Sequence, residues 1–273
     1  MTTALTLAGI VVAIYIAILG LLWRMQERIV FQPPPEADSP DSGTGTIAYT
    51  TSDGVELLAH VVAASSTTAP ILLAFHGNAI ISRWMIPWAR EVSRRVGVTV
   101  VLPEYRGYDG LAGAPTYAGA ALDAVAALEA TERRFGVGPE RMIYYGHSLG
   151  TAVATELAAS HPPAALLLES PFTSARDMAA RLPFIGLGLF WNLISRVHYQ
   201  TIIRVQQLEV PVHVAHGERD VIIPVRMGQS VHQASRNKGE LLLVPEAGHN
   251  DVAVAGGAAY WRWMEEAVRQ GRR

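Results

Sequence analysis

Residues 142–154 read MIYYGHSLGTAVA: an apolar run, then Gly-His-Ser-Leu-Gly, then small helix-forming residues without a break. A serine held between two glycines, where a strand turns into a helix, presents its hydroxyl above the carboxyl edge of a sheet. It also sits at a helix N-terminus, whose free N–H groups favour negative charge. Gly146 and Gly150 remove the Cβ atoms that would collide where strand and helix come close. The alternative is an ordinary strand-to-helix turn with Ser148 as the helix N-cap. The context speaks for the nucleophile turn, because an apolar run precedes it and the alanine-rich TAVATELAA follows.

Outward from this turn the pattern repeats. Short apolar runs occur at 71–75 (ILLAF), 98–103 (VTVVLP), 164–169 (AALLLE), 210–217 (VPVHVAHG) and 240–245 (ELLLVP), as expected of strands buried on both faces of a parallel sheet. Helical stretches are expected at about 82–96, 116–134, 149–160, 225–236 and 258–269, with Ser82 and Thr116 as caps. The stretch TIAYTTSDGVELLAHVVAA has two β-rich halves around Asp53-Gly54, a hairpin signal. Strands alternating with helices after an antiparallel opening imply an α/β fold with helices on both faces of the sheet.

A serine hydroxyl is a weak nucleophile at neutral pH, so it needs a base within hydrogen-bond reach and a carboxylate to orient that base. The chain order expected on such a fold is serine, acid, histidine. Asp220 follows VPVHVAHG in the loop GERDVIIP, and His249 follows ELLLVP in EAGHND; both fall in strand-end loops, where α/β sheets bind ligands. Glu169, which ends the preceding strand, is the rival acid. Asp251 reads as a cap for a turn or for the last helix. The oxyanion of a tetrahedral intermediate needs donors, and the backbone N–H of Leu149 is one. The other is expected from the loop after ILLAFHG, at Asn78 or Ala79, with Gly77 permitting the close turn. His76 and His216 precede glycines at strand ends and read as loop ties, and His147 as a residue packed or hydrogen-bonded beneath the turn. No HExxH or other spaced histidine–carboxylate set occurs, so neither a metal nor another cofactor is implied.

Composition bounds the rest. The chain has 273 residues, half of them hydrophobic, with a net charge of -2 and no cysteine. It is long enough for one large core, it lacks the basic footprint of a nucleic-acid binder, and it has neither disulfides nor a cysteine nucleophile. Residues 4–23 (ALTLAGIVVAIYIAILGLLW) carry no charge, and about 20 apolar residues match a hydrocarbon core of roughly 30 Å. A cleaved signal peptide would begin with positive charge and end in a small-x-small site; MTTALT and Leu-Leu-Trp-Arg offer neither. The expected organisation is an anchor at 1–24, a proline-rich, extended and unpacked linker at 25–45, and a folded domain at 46–273. Arg24 and Arg28 against a lysine-free N-terminus favour a cytoplasmic domain, and Glu27 between them offsets that bias.

Across residues 46–270 the chain resembles the α/β-hydrolases, and more narrowly their membrane-anchored serine-hydrolase branch. The likeness is carried by VFQPP, FHGNA, PEYRGYDGLAGAPT, GHSLGTAVATELA, ESPFTS, HGERDVIIP and GHND, in that order. It implies the α/β-hydrolase fold with a mostly parallel central sheet, a triad of Ser148, Asp220 and His249, and a short cap at about 171–207. Two departures stand out: Glu104 and Asp109 occupy the loop that in the family reads Asp-Tyr-Arg-Gly-Tyr-Gly, and FHGNA continues Ile-Ile-Ser-Arg. The apolar, glycine-containing stretch 171–200 reads either as a mobile cap over an acyl pocket or as a buried connecting helix pair. The expected function is hydrolysis of acyl or lipid-like carboxylic esters through an acyl-enzyme, at a bacterial inner membrane. A thioesterase or serine peptidase with the same triad, and an inactive membrane-tethered scaffold, are the alternatives.

Overall fold

The computed structural model describes residues 2–35, 43–181, 191 and 195–271. In chain order these contain α1 (Thr2–Val30), β1 (Gly45–Thr50), β2 (Glu56–Val62), β3 (Ile71–Phe75), α2 (Ile86–Val96), β4 (Thr99–Pro103), α3 (Tyr117–Phe135) and β5 (Met142–His147). There follow α4 (Leu149–Ser160), β6 (Ala165–Glu169), α5 (Ala175–Ala179), α6 (Thr201–Val205), β7 (Val212–Gly217), α7 (Val225–Ala234), β8 (Lys238–Val244) and α8 (Val252–Gln270). The strands form one eight-stranded sheet in the order β1-β2-β4-β3-β5-β6-β7-β8. β2 pairs antiparallel with β1 and β4, and every other pairing is parallel. The mostly parallel α/β architecture expected from the sequence is therefore the one observed.

Strand burial explains the continuous apolar runs. In β3, β4 and β6 every residue is buried, and alternate side chains enter two different cores. Leu73 and Phe75 join α3 and α4 on one face; Leu72 and Ala74 join α2 and α8 on the other. A strand covered on both sides has no position where a polar residue would face water. The hairpin turns at Gly54, whose φ of 86° suits a residue without Cβ.

Three local expectations are corrected. Thr116 does cap α3, accepting the Gly119 N–H at 2.9 Å, but Ser82 caps nothing: its Oγ donates to Glu104 at 2.9 Å, and Ser82–Met85 form a 3-10 turn before α2 begins. α8 starts at Val252 rather than 258, crossing a non-helical Gly257; the glycine pair interrupts the helical pattern in sequence and hides the first turn. The unpacked linker expected from residue 25 begins later, because α1 continues through Met25, Gln26, Glu27 and Arg28 to Val30. These are helix formers with no proline until Pro33. Phe31 is 2 % exposed and belongs to the main core. Residues 36–42 of the expected linker, and 182–190 and 192–194 of the expected cap, lie outside the described residues. By length and composition, Leu5–Val30 is able to cross a membrane.

Candidate active site

The turn between β5 and α4 has the geometry its glycines imply. Ser148 has φ 53° and ψ -117°, a conformation that costs a side-chain-bearing residue about 1–3 kcal/mol unless its surroundings fix it. They do: Ser148 N–H donates to the Glu169 carbonyl at 2.9 Å, and the Ser148 carbonyl accepts from Thr151 N–H at 3.0 Å and Thr151 Oγ at 2.6 Å. A Cβ on Gly146 would overlap the Gly150 carbonyl, and one on Gly150 would overlap the Phe75 carbonyl.

The loops after β7 and β8 bring the two distant partners to this serine. His249 Nδ1 lies 2.6 Å from Asp220 Oδ2, and His249 Nε2 lies 2.9 Å from Ser148 Oγ. A carboxylate only accepts, so Nδ1 carries the proton, Nε2 is the acceptor of the neutral ring, and the serine hydroxyl donates to it. Asp220 is held in turn: Oδ1 accepts the N–H groups of Ile222 and Ile223 at 2.9 and 2.8 Å. His216 Nε2 donates to the Ile223 carbonyl at 2.8 Å and stands 3.3 Å from Asp220 Oδ2. Burial alone would raise the Asp220 carboxyl, but hydrogen bonds from His216, His249 and the Ile223 N–H outweigh it and hold the group below the ordinary carboxylate range.

The rival acids are occupied elsewhere. Glu169 is buried and its Oε2 accepts from Tyr145 Oη at 2.8 Å and Tyr260 Oη at 2.7 Å. Asp251 Oδ1 accepts the Gly248 N–H at 2.7 Å, tightening the turn that carries His249. His147 Nε2 donates to the His249 carbonyl at 3.1 Å, so the residue beneath the elbow positions the backbone of His249. Burial holds the His147 imidazole below its ordinary pKa, which keeps it neutral.

Leu149 opens α4, and Asn78 shares a cavity with it and with Ser148. Ala79 adopts φ 56°, so the loop at 76–79 is sharply turned. It is anchored from below: His76 Nε2 is 2.7 Å from Glu104 Oε1, and His76 Nδ1 is 2.8 Å from the Gly77 carbonyl. Glu104 also receives the Ser82 N–H and hydroxyl, while Arg83 pairs with Asp109. The two departures from the family pattern thus satisfy each other, Ser82 with Glu104 and Arg83 with Asp109. Burial would raise the Glu104 carboxyl, and the neighbouring His76 and Ser82 lower it overall.

A cavity of about 290 Å³ opens at Ser148. Phe172, Met178, Trp191 and Tyr199 line it from the flanks of the expected cap, and Ile222 and Ile223 from the loop after Asp220. Sequence reasoning missed its remaining wall, made of Leu22, Gln26, Ile29 and Val30 of α1. Their spacing of four, seven and eight places them on one helix face, a signal masked by the uniform apolarity upstream.

Comparison with known proteins agrees with this fold. A family model described as the alpha/beta hydrolase family matches residues 71–204. An uncharacterized Mycobacterium tuberculosis protein is 33% identical over 273 residues, covering 98% of this chain and 94% of that protein. The Homo sapiens alpha/beta hydrolase domain-containing protein 17B is 31% identical over 220 residues, covering 81% of this chain and 73% of that protein. Among solved structures, a Pyrococcus furiosus esterase superposes with a TM-score of 0.68 at 19% identity, over 88% of this chain and 97% of that one.

Proposed function

Because the chain belongs to the α/β-hydrolase family, we propose that it is a membrane-anchored serine hydrolase that cleaves acyl or lipid-like carboxylic esters through an acyl-enzyme. One observation carries the reading: the Ser148–His249–Asp220 hydrogen-bond chain ends in a mainly apolar cavity. Ser148 Oγ attacks the ester carbonyl as His249 Nε2 takes its proton, and Asp220 orients the ring and stabilises the imidazolium. The tetrahedral oxyanion is received by the Leu149 N–H and an N–H of Asn78 or Ala79. Collapse releases the alcohol, which leaves with the proton from His249. Water then adds to the acyl-enzyme by the same route and frees the acid and the serine.

The apolar lining favours an acyl chain over a peptide, and a thioester fits the same chemistry with sulfur leaving in place of oxygen. Fluorophosphonate labelling tests the reading. The wild type is expected to label and Ser148→Ala to lose labelling and turnover together. A wild type that stays unlabelled favours the inactive scaffold. Parallel rates on matched oxygen and thioesters separate esterase from thioesterase.

A further inference from the structure

The cavity wall contributed by α1 lies upstream of the folded domain expected at 46–273. Leu22, Gln26, Ile29 and Val30 face the same space as Ser148, and the helix that carries them continues upstream into an apolar surface exposed at Leu7, Ile10, Val11 and Ile14. The wall is fixed to the domain at several points. Gln26 Oε1 accepts the Arg196 N–H at 2.7 Å, Glu27 pairs with Arg196 at 3.2 Å, and the Arg196 guanidinium lies 5.3 Å from the Trp23 ring centroid. Where the helix ends, Gln32 N–H donates to Asn78 Oδ1 at 2.8 Å, so the helix exit also touches the loop expected to supply an oxyanion donor. Directly after Asp220, Val221 is 86% and Ile222 51% exposed, and Ile222 lines the same cavity. Apolar side chains left in water beside an apolar helix are the mark of a surface that meets lipid.

We propose that the last turns of α1 are a specificity-determining wall of the acyl pocket, and that the substrate is an ester whose acyl chain resides in the bilayer and reaches Ser148 along this helix. This rests on the serine-hydrolase reading and goes beyond it, because it assigns the acyl selectivity to the anchor itself. A chain that slides from hydrocarbon along an apolar helix face into an apolar cavity never exposes its methylenes to water.

The test uses the full chain reconstituted in phosphatidylcholine vesicles, with p-nitrophenyl acetate, octanoate and palmitate as probes. Ile29→Trp and Leu22→Trp fill the wall and are expected to lower the palmitate-to-acetate ratio of kcat/KM by about tenfold or more. An unchanged ratio in both wall variants overturns the proposal. Should a tryptophan variant fail to label with fluorophosphonate, Ile29→Ala carries the test: emptying the wall is expected to shift preference toward the longer chain, and an unaltered profile is again fatal. Palmitate ester placed in the protein's own vesicles is expected to turn over about tenfold faster than ester supplied in separate vesicles; equal rates overturn the bilayer route. A wild type that neither labels nor hydrolyses any of the three esters removes the hydrolase reading as well, and so is distinct from a hydrolase whose selectivity ignores α1.

Discussion

Two buried carboxylates, Asp220 and Glu169, stand near the carboxyl edge of the sheet, and their hydrogen-bond partners separate their roles. Asp220 meets a histidine that itself meets a serine; Glu169 meets two tyrosine hydroxyls. Asp220→Asn leaves the shape intact but removes the charge and favours the wrong imidazole tautomer, so kcat is expected to fall by about 10⁴-fold. Glu169→Gln keeps a carbonyl oxygen for both tyrosines, and kcat is expected to stay within about threefold of wild type, at the cost of one weaker hydrogen-bond pair. Steady-state kinetics on a soluble short-chain ester reads both. The order of motifs along the chain made Asp220 legible as the carboxylate that meets His249. The tyrosines that occupy Glu169 sit 24 and 91 residues from it in sequence, and no local pattern announces them.

At the scale of elements, the apolar runs became strands and the alanine-rich stretches helices, because burial on both faces leaves a simple compositional trace. Polar residues inside those runs are where sequence says least. His213 lies near the start of β7, fully buried, with Nδ1 accepting the Glu240 N–H of β8 at 3.0 Å. A protonated ring would turn that acceptor into a second donor, and burial opposes the charge; the imidazole is pushed down to about 4. The unfolded chain takes up this proton near pH 6.5, whereas the folded chain does not until about pH 4, so the unfolded state binds more protons between these limits. The stability this histidine contributes is therefore complete above about pH 6.5 and is lost as the pH falls toward 4, by on the order of 3 kcal/mol. His213→Gln keeps an acceptor for Glu240 and does not titrate. Urea midpoints of the detergent-solubilised protein, compared at about pH 7 and about pH 4, are expected to fall less in this variant than in the wild type.

For the whole molecule, the joint between α1 and the hydrolase domain is the decisive feature. Phe31 reads in sequence as part of a proline-rich linker, yet it is 2 % exposed and packs in the main core. Phe31→Ala is expected to destabilise the full chain by about 3–5 kcal/mol, measured by chemical denaturation in detergent. A Phe31 that merely began a free linker would give a change near zero. Linker composition could not report that the phenylalanine before the prolines has a socket formed by residues far along the polymer.

What the sequence by itself determined is whatever neighbouring residues encode together: the strand and helix rhythm, the close turn at Gly146 and Gly150, the apolar length of α1, and the order of serine, aspartate and histidine. These depend on periodicity and on steric limits that act within a few residues. Only the tertiary structure decided that Ser148 and His249, 101 residues apart, lie in hydrogen-bond contact, that Ser82 and Arg83 answer Glu104 and Asp109, and that α1 closes one side of the cavity. Such contacts arise from how the packed layers register against one another, and a linear pattern holds no record of which surface each face will meet.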